Sequence, residues 1–162
     1  MNTLPARASS DPPSPRGGGA GGEGRRAVLG LIALPLLLAG CVNDTASYRS
    51  EAEEELSVVL ARRQDWFWQD TGRLAVTVSH LPQCQGGLEI KDVPLSADYA
   101  LYAAPPEYPE PILILEIEDR HFALGLESCR VQEFDETPPD LGRRLGTFAE
   151  KEGKFSFQPA GG

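Results

Sequence analysis

The chain has 162 residues, 15 Lys and Arg against 24 Asp and Glu, and a formal net charge of −9. So acidic a surface offers few cations to neutralise phosphates, which argues against nucleic acid as a partner and against a basic face as a membrane holdfast. Once the N-terminal leader is set aside, the length fits one small domain.

Residues 1–24 are rich in Gly, Pro, Ser and Ala and read as an extended, disordered leader. Arg25 and Arg26 then precede an apolar run that ends in Leu38-Ala39-Gly40-Cys41. A positive flank, a hydrophobic middle and a small-residue processing site are the three parts of an export signal. The apolar run 27–39 is thirteen residues long and contains Pro35, whereas a helix needs about 20 residues to span a bilayer. A transmembrane anchor is therefore disfavoured. The Arg25-Arg26 pair is similar to a twin-arginine signal, but its flanks match that pattern poorly and ordinary secretion is favoured.

The segment resembles a bacterial lipoprotein signal peptide of the lipobox type. The resemblance implies cleavage before Cys41, a diacylglyceryl thioether on that cysteine, and attachment to the bilayer through acyl chains such as palmitate. Several chains give durable anchoring where one gives only weak binding. Val42, rather than an aspartate, follows the cysteine; by the same resemblance this implies the outer membrane, with the domain facing the periplasm. Residues 41–162 carry 11 basic and 22 acidic side chains, so the exported part is more acidic than the whole.

Export bears on the other two cysteines. Cys84 and Cys129 are an even pair in an oxidising compartment, which suggests a structural disulfide. Closing a loop of this length contributes about 4 kcal/mol in the chain-entropy treatment. A redox-active pair is the rival, but catalytic dithiols usually lie close in sequence, as in Cys-x-x-Cys.

Further along, residues 41–55 read as a lipidated polar tether, with the acids of 51–55 as a solvated face. Residues 56–60 are apolar and β-branched, and 73–80 alternate with Leu74, Val76 and Val78 on one face. The Asp70-Thr71-Gly72 turn joins them into a hairpin. Gly86-Gly87 reads as a turn, and 99–102 as a short strand. Four prolines around Tyr108 make 104–111 an extended loop. A second hairpin pairs 112–117 with 122–126, and a third pairs 146–148 with 154–157. The expected domain, 56–158, is mainly β: a small antiparallel sandwich or open barrel built from hairpins.

Chemistry-bearing motifs are few. His80 and His121 are the only histidines, and zinc-ligand spacings are missing. No Gly-x-Ser-x-Gly is present, and Ser128 has no recognisable base nearby. No metal, cofactor or catalytic residue is expected. Glu116 is the acid of first interest, because its alternation places it with Ile112 and Ile114. Trp66 and Trp68, two apart, would share one strand face. They serve as core or, if exposed, as a flat platform for a sugar or partner peptide, with Tyr99, Tyr102 and Tyr108 extending it.

The whole arrangement is similar to small envelope lipoproteins of proteobacteria. It implies a membrane-anchored, non-enzymatic binding or accessory module that docks onto an envelope protein assembly. The alternatives are an envelope enzyme acting on peptidoglycan or glycan through carboxylates, and a purely structural lipoprotein.

Overall fold

The computed structural model describes residues 42–51 and 55–161. The leader, the signal segment and Cys41 lie outside the described residues, as do positions 52–54 of the acidic run. The described residues hold ten strands and no helix.

The first sheet is a meander of β1 (Asn43–Arg49), β2 (Leu56–Arg63), β3 (Thr71–His80) and β4 (Cys84–Pro94), each antiparallel to the next. The remaining strands are β5 (Tyr99–Ala103), β6 (Ile112–Ile117), β7 (Arg120–Gly125), β8 (Val131–Glu133), β9 (Arg143–Lys151) and β10 (Lys154–Pro159). They form a second antiparallel sheet in the order β10-β9-β5-β6-β7-β8, so the C-terminal hairpin returns to pair with β5. The two sheets do not close into a barrel. All three expected hairpins and the 99–102 strand are present, but the first does not turn at Asp70-Thr71-Gly72: Thr71 and Gly72 open strand β3, and the β2–β3 connection turns upstream of them.

Alternation dictates what is buried. Leu56, Val58 and Leu60 of β2 and Leu74, Val76 and Val78 of β3 are buried on one side of the first sheet. Tyr99, Leu101, Leu113, Leu115, Ile117, Phe122, Leu124 and Phe148 line the second. Every second side chain of a strand points the same way, so the two stripes meet as one core.

Three further segments depart from the expectation. Residues 43–49 are strand β1 rather than tether; their polar sequence hides the pattern, because only Ala46 and Tyr48 contribute apolar groups to the core. Gly86 and Gly87 lie inside strand β4 rather than in a turn. A Cβ at Gly86 would collide with the carbonyl oxygen of Cys129, so the missing side chain lets that backbone close in beside the Cys84–Cys129 disulfide. The third departure is β8, a three-residue strand too short to carry a pattern.

Candidate functional site

The β2–β3 connection carries the largest exposed aromatic cluster among the described residues: Trp66, Phe67 and Trp68 are 57%, 64% and 63% exposed. They sit in a turn, not on a strand. Gln69 N–H donates to Trp66 O at 3.0 Å, which puts Phe67 and Trp68 at the two central positions of a β-turn. Gln64 Nε2 donates to Gln69 O at 2.6 Å and braces the base of the loop. Arg73 of β3 bonds the Asp65 carboxylate, which holds that carboxyl below its ordinary range. The Trp66 and Trp68 rings stack at 5.1 Å with 17° between planes, and Phe67 meets Trp68 edge-on at 4.8 Å. Stacking between residues two apart needs no strand here, because the turn folds one ring back over the other. Beside the tip lies an open pocket of about 570 Å3 lined by Asp65, Trp66, Gln69, Arg73, Lys91 and Asp92, among others.

The tip adjoins the start of the domain. Gln64 N–H donates to Val42 O at 2.8 Å, and Val42 N–H donates to Gln64 Oε1 at 3.0 Å. Val42 is the residue after Cys41, so the chain enters the fold within two positions of the aromatic tip.

The three tyrosines do not extend this surface. Tyr99 is wholly buried, with its hydroxyl donating to Pro94 O at 2.9 Å, because it lies on the inward stripe of β5. Tyr102 is half-buried on the opposite face of that sheet and donates to Glu116 Oε2 at 2.8 Å. Burial, and then the bond to that carboxylate, hold the Tyr102 hydroxyl above its ordinary value. Tyr108 belongs to the other end of the molecule. β3 runs about 30 Å from the tip to His80, where His80 Nδ1 lies 3.1 Å from Leu126 O. Leu126 N–H in turn donates to Pro111 O, at the base of the Tyr108 loop.

That far end has a built groove of its own. Pro105, Pro106, Tyr108, Pro109, Pro111 and Leu126 are among the residues lining an open pocket of about 360 Å3. Its walls are pinned. Glu110 accepts bonds from the N–H groups of Glu127 and Ser128 at 3.0 and 2.9 Å and from Ser128 Oγ at 2.6 Å. These bonds, the Ser128 hydroxyl foremost, hold the Glu110 carboxyl below its ordinary range. Tyr108 packs against Phe134 at 6.1 Å, and the disulfide ties Cys129 to β4.

Glu116 pairs directly across the ladder with His121, whose Nε2 lies 3.6 Å from Glu116 Oε1. With Tyr102 on the other oxygen, both carboxylate oxygens face partners on the same sheet. Among the described residues no three His, Cys, Asp or Glu side chains gather as a metal site requires.

Arg62, at the tip end of β2, is a buried charge that sequence reading missed, as it missed the bracing role of Gln64. Arg62 continues the Leu56, Val58, Leu60 stripe and is 1% exposed. Its guanidinium bonds Asp44 twice, at 2.9 and 2.6 Å, Glu150 at 3.1 Å and Leu95 O at 2.6 Å, and lies 3.9 Å over the Phe155 ring. Burial opposes its charge, and the two carboxylates overcome that, so its pKa stands above the ordinary value. An arginine falling in register with an apolar stripe was the available signal.

No protein family, curated protein or solved structure matches this chain.

Proposed function

We propose that the chain is an envelope lipoprotein, anchored through acyl chains on Cys41 to the outer membrane and facing the periplasm. There it works as a non-enzymatic binding or accessory module. The observation that carries this reading is the placement of the apolar groove around Tyr108 and Leu126, at the end of the sandwich remote from Val42. With the lipid at Cys41, that groove points away from the bilayer and is free to receive an extended apolar segment of an envelope protein. Its pinned walls favour binding, because a preformed groove loses little freedom when occupied.

The enzyme alternative rests on Glu116. A glycan-cleaving carboxylate needs a second carboxyl at a set separation, whereas Glu116 is engaged by Tyr102 and His121. The module is the better reading.

Photo-crosslinking from position 108 in intact cells tests it. A discrete protein adduct is expected from the native chain, lost in Leu126→Asp and in Cys41→Ser. An adduct pattern unchanged by both substitutions sinks the module. Loss of an envelope phenotype in Glu116→Gln, with no adduct from position 108, would favour the enzyme instead.

A further inference from the structure

We propose that Trp66, Phe67 and Trp68 form a second, non-covalent membrane contact, seated in the interfacial zone of the bilayer that carries the Cys41 lipid. The inference rests on the lipoprotein reading for its anchor and goes beyond it in assigning the tip an occupant.

Position is the first argument. Cys41 is bonded to Val42, so the two Cα atoms lie one peptide unit, about 3.8 Å, apart. Val42 is held by both its N–H and its C=O to Gln64, two residues before Trp66. Strand β1 begins at Asn43 and pairs along its length with β2. No slack chain therefore separates the acylated residue from the folded domain. Acyl chains on Cys41 bring the β2–β3 end of the sandwich to the bilayer surface.

Residue chemistry is the second. Tryptophan favours the membrane–water interface because it joins a large apolar ring to one N–H donor, and phenylalanine on an exposed turn adds apolar area that lipid can cover. Arg63 flanks the tip with its side chain 61% exposed and its Nε 4.0 Å from the Asp65 carboxylate, a loose exposed pair that leaves the rest of the guanidinium open. A long basic side chain there buries its stem and leaves its head among headgroup phosphates. The rest of the chain is acidic, so the contact is local and apolar and favours zwitterionic over anionic lipid. A protein partner at this tip would have to share the space with the acyl chains one residue from Val42.

The fluorescence of the chain suits the test, because its two tryptophans are Trp66 and Trp68. The protein, expressed from the whole sequence, processed in cells and purified with its lipid, is reconstituted into phosphatidylcholine–phosphatidylethanolamine vesicles with and without brominated acyl chains. Mass spectrometry of the Cys41 peptide is read on the same sample. The expected result is strong bromolipid quenching, a blue-shifted emission, and severalfold weaker acrylamide quenching than in Cys41→Ser. Phe67→Asp keeps both reporters and the acyl anchor; it should stay vesicle-bound while its tryptophans return to water. A lipidated, vesicle-bound protein whose tryptophans are untouched by bromolipid and fully open to acrylamide overturns the tip contact alone. A Cys41 peptide without lipid overturns the anchoring reading itself.

Discussion

Val42 and Gln64 are bonded to each other twice, backbone to backbone and backbone to side chain, and the same Gln64 side chain reaches on to Gln69 O across the aromatic turn. One residue thus fixes both the entry of the chain and the base of its aromatic tip. Replacing Gln64 with Ala removes the two side-chain bonds and spares the backbone one. The loss in stability should be small, about 1 kcal/mol, because the groups are open to water. The tip should respond more than the domain. The exciton signal of the stacked Trp66–Trp68 pair in circular dichroism should weaken and acrylamide quenching should rise, while chemical unfolding shifts little.

Arg62 closes the sandwich at that same end. Its guanidinium links β1 through Asp44 and β9 through Glu150, and covers Phe155 of β10. Removing one partner of a buried ion pair costs roughly 3–5 kcal/mol. Arg62→Ala should fall near the lower end, about 3 kcal/mol, since Asp44 and Glu150 are partly exposed and can rehydrate. Arg62→Lys keeps the charge but loses the two-pronged fit to Asp44, so it should remain clearly destabilised. Urea unfolding of the three proteins checks the order: native, then Lys, then Ala.

The disulfide joins Cys84 and Cys129 across 45 residues, next to Ser128, which bonds Glu110 of the distal groove. Its loss should lower stability by about 4 kcal/mol in the chain-entropy treatment, or on the order of 15 °C in Tm for a domain of this size. Cys84→Ser with Cys129→Ser, and the native protein under reductant, should melt alike. A match between the two would tie the loss to the crosslink rather than to the serines.

The hairpins were legible because their strands alternate strongly. Leu74, Val76 and Val78 announce one face, as do Leu113, Leu115 and Ile117, and burial follows them. Strand β1 was not legible, because an edge strand with one paired side needs few apolar groups; Ala46 and Tyr48 alone do not make a pattern. Gly86-Gly87 misled for a different reason. Glycine marks turns, but here it marks close approach, of the Cys129 backbone to Gly86 and of the β3 backbone at Val76 to Gly87, which only the tertiary structure supplies. The tip was found as a residue type and misplaced as geometry. Spacing of two suggested a strand face, whereas a β-turn stacks the same rings, and Tyr99 belongs to the core because it shares the stripe of Leu101. Arg62 shows the limit of pattern reading, since a charge in an apolar register is explained only by the carboxylates that come to meet it.

Glu110 holds the groove by accepting three bonds on its carboxylate, and these favour its ionised form. A carboxyl depressed in the folded state stabilises the fold above its unfolded pKa, and that contribution is lost as pH falls through the folded value. The native protein should therefore lose stability on the acid side, and Glu110→Gln should flatten that limb while lowering stability at neutral pH by a fraction of a kcal/mol, given the exposure of the site. Unfolding followed from pH 7 downward in both proteins checks the sign. Crosslinking from position 108 should weaken in the same variant, since the groove wall is freed.

Tyr99 sets the opposite limb. Burial is the main cause that pushes its hydroxyl up to about 12 from an ordinary 10.0, against the pull of the nearby Arg62 charge. The folded state therefore holds the proton more tightly than the unfolded chain. Its contribution is fully present below the unfolded value and is lost as pH rises from 10 towards 12, at up to about 1.4 kcal/mol per pH unit. Tyr99→Phe removes the titrating group and the bond to Pro94 O, so it should start about 1 kcal/mol less stable at neutral pH. It should then lose less on alkalinisation, and the two stability curves should converge. Parallel curves across that range would mean that Tyr99 reaches water before the domain unfolds, and that the β4–β5 corner around Pro94 opens ahead of the core.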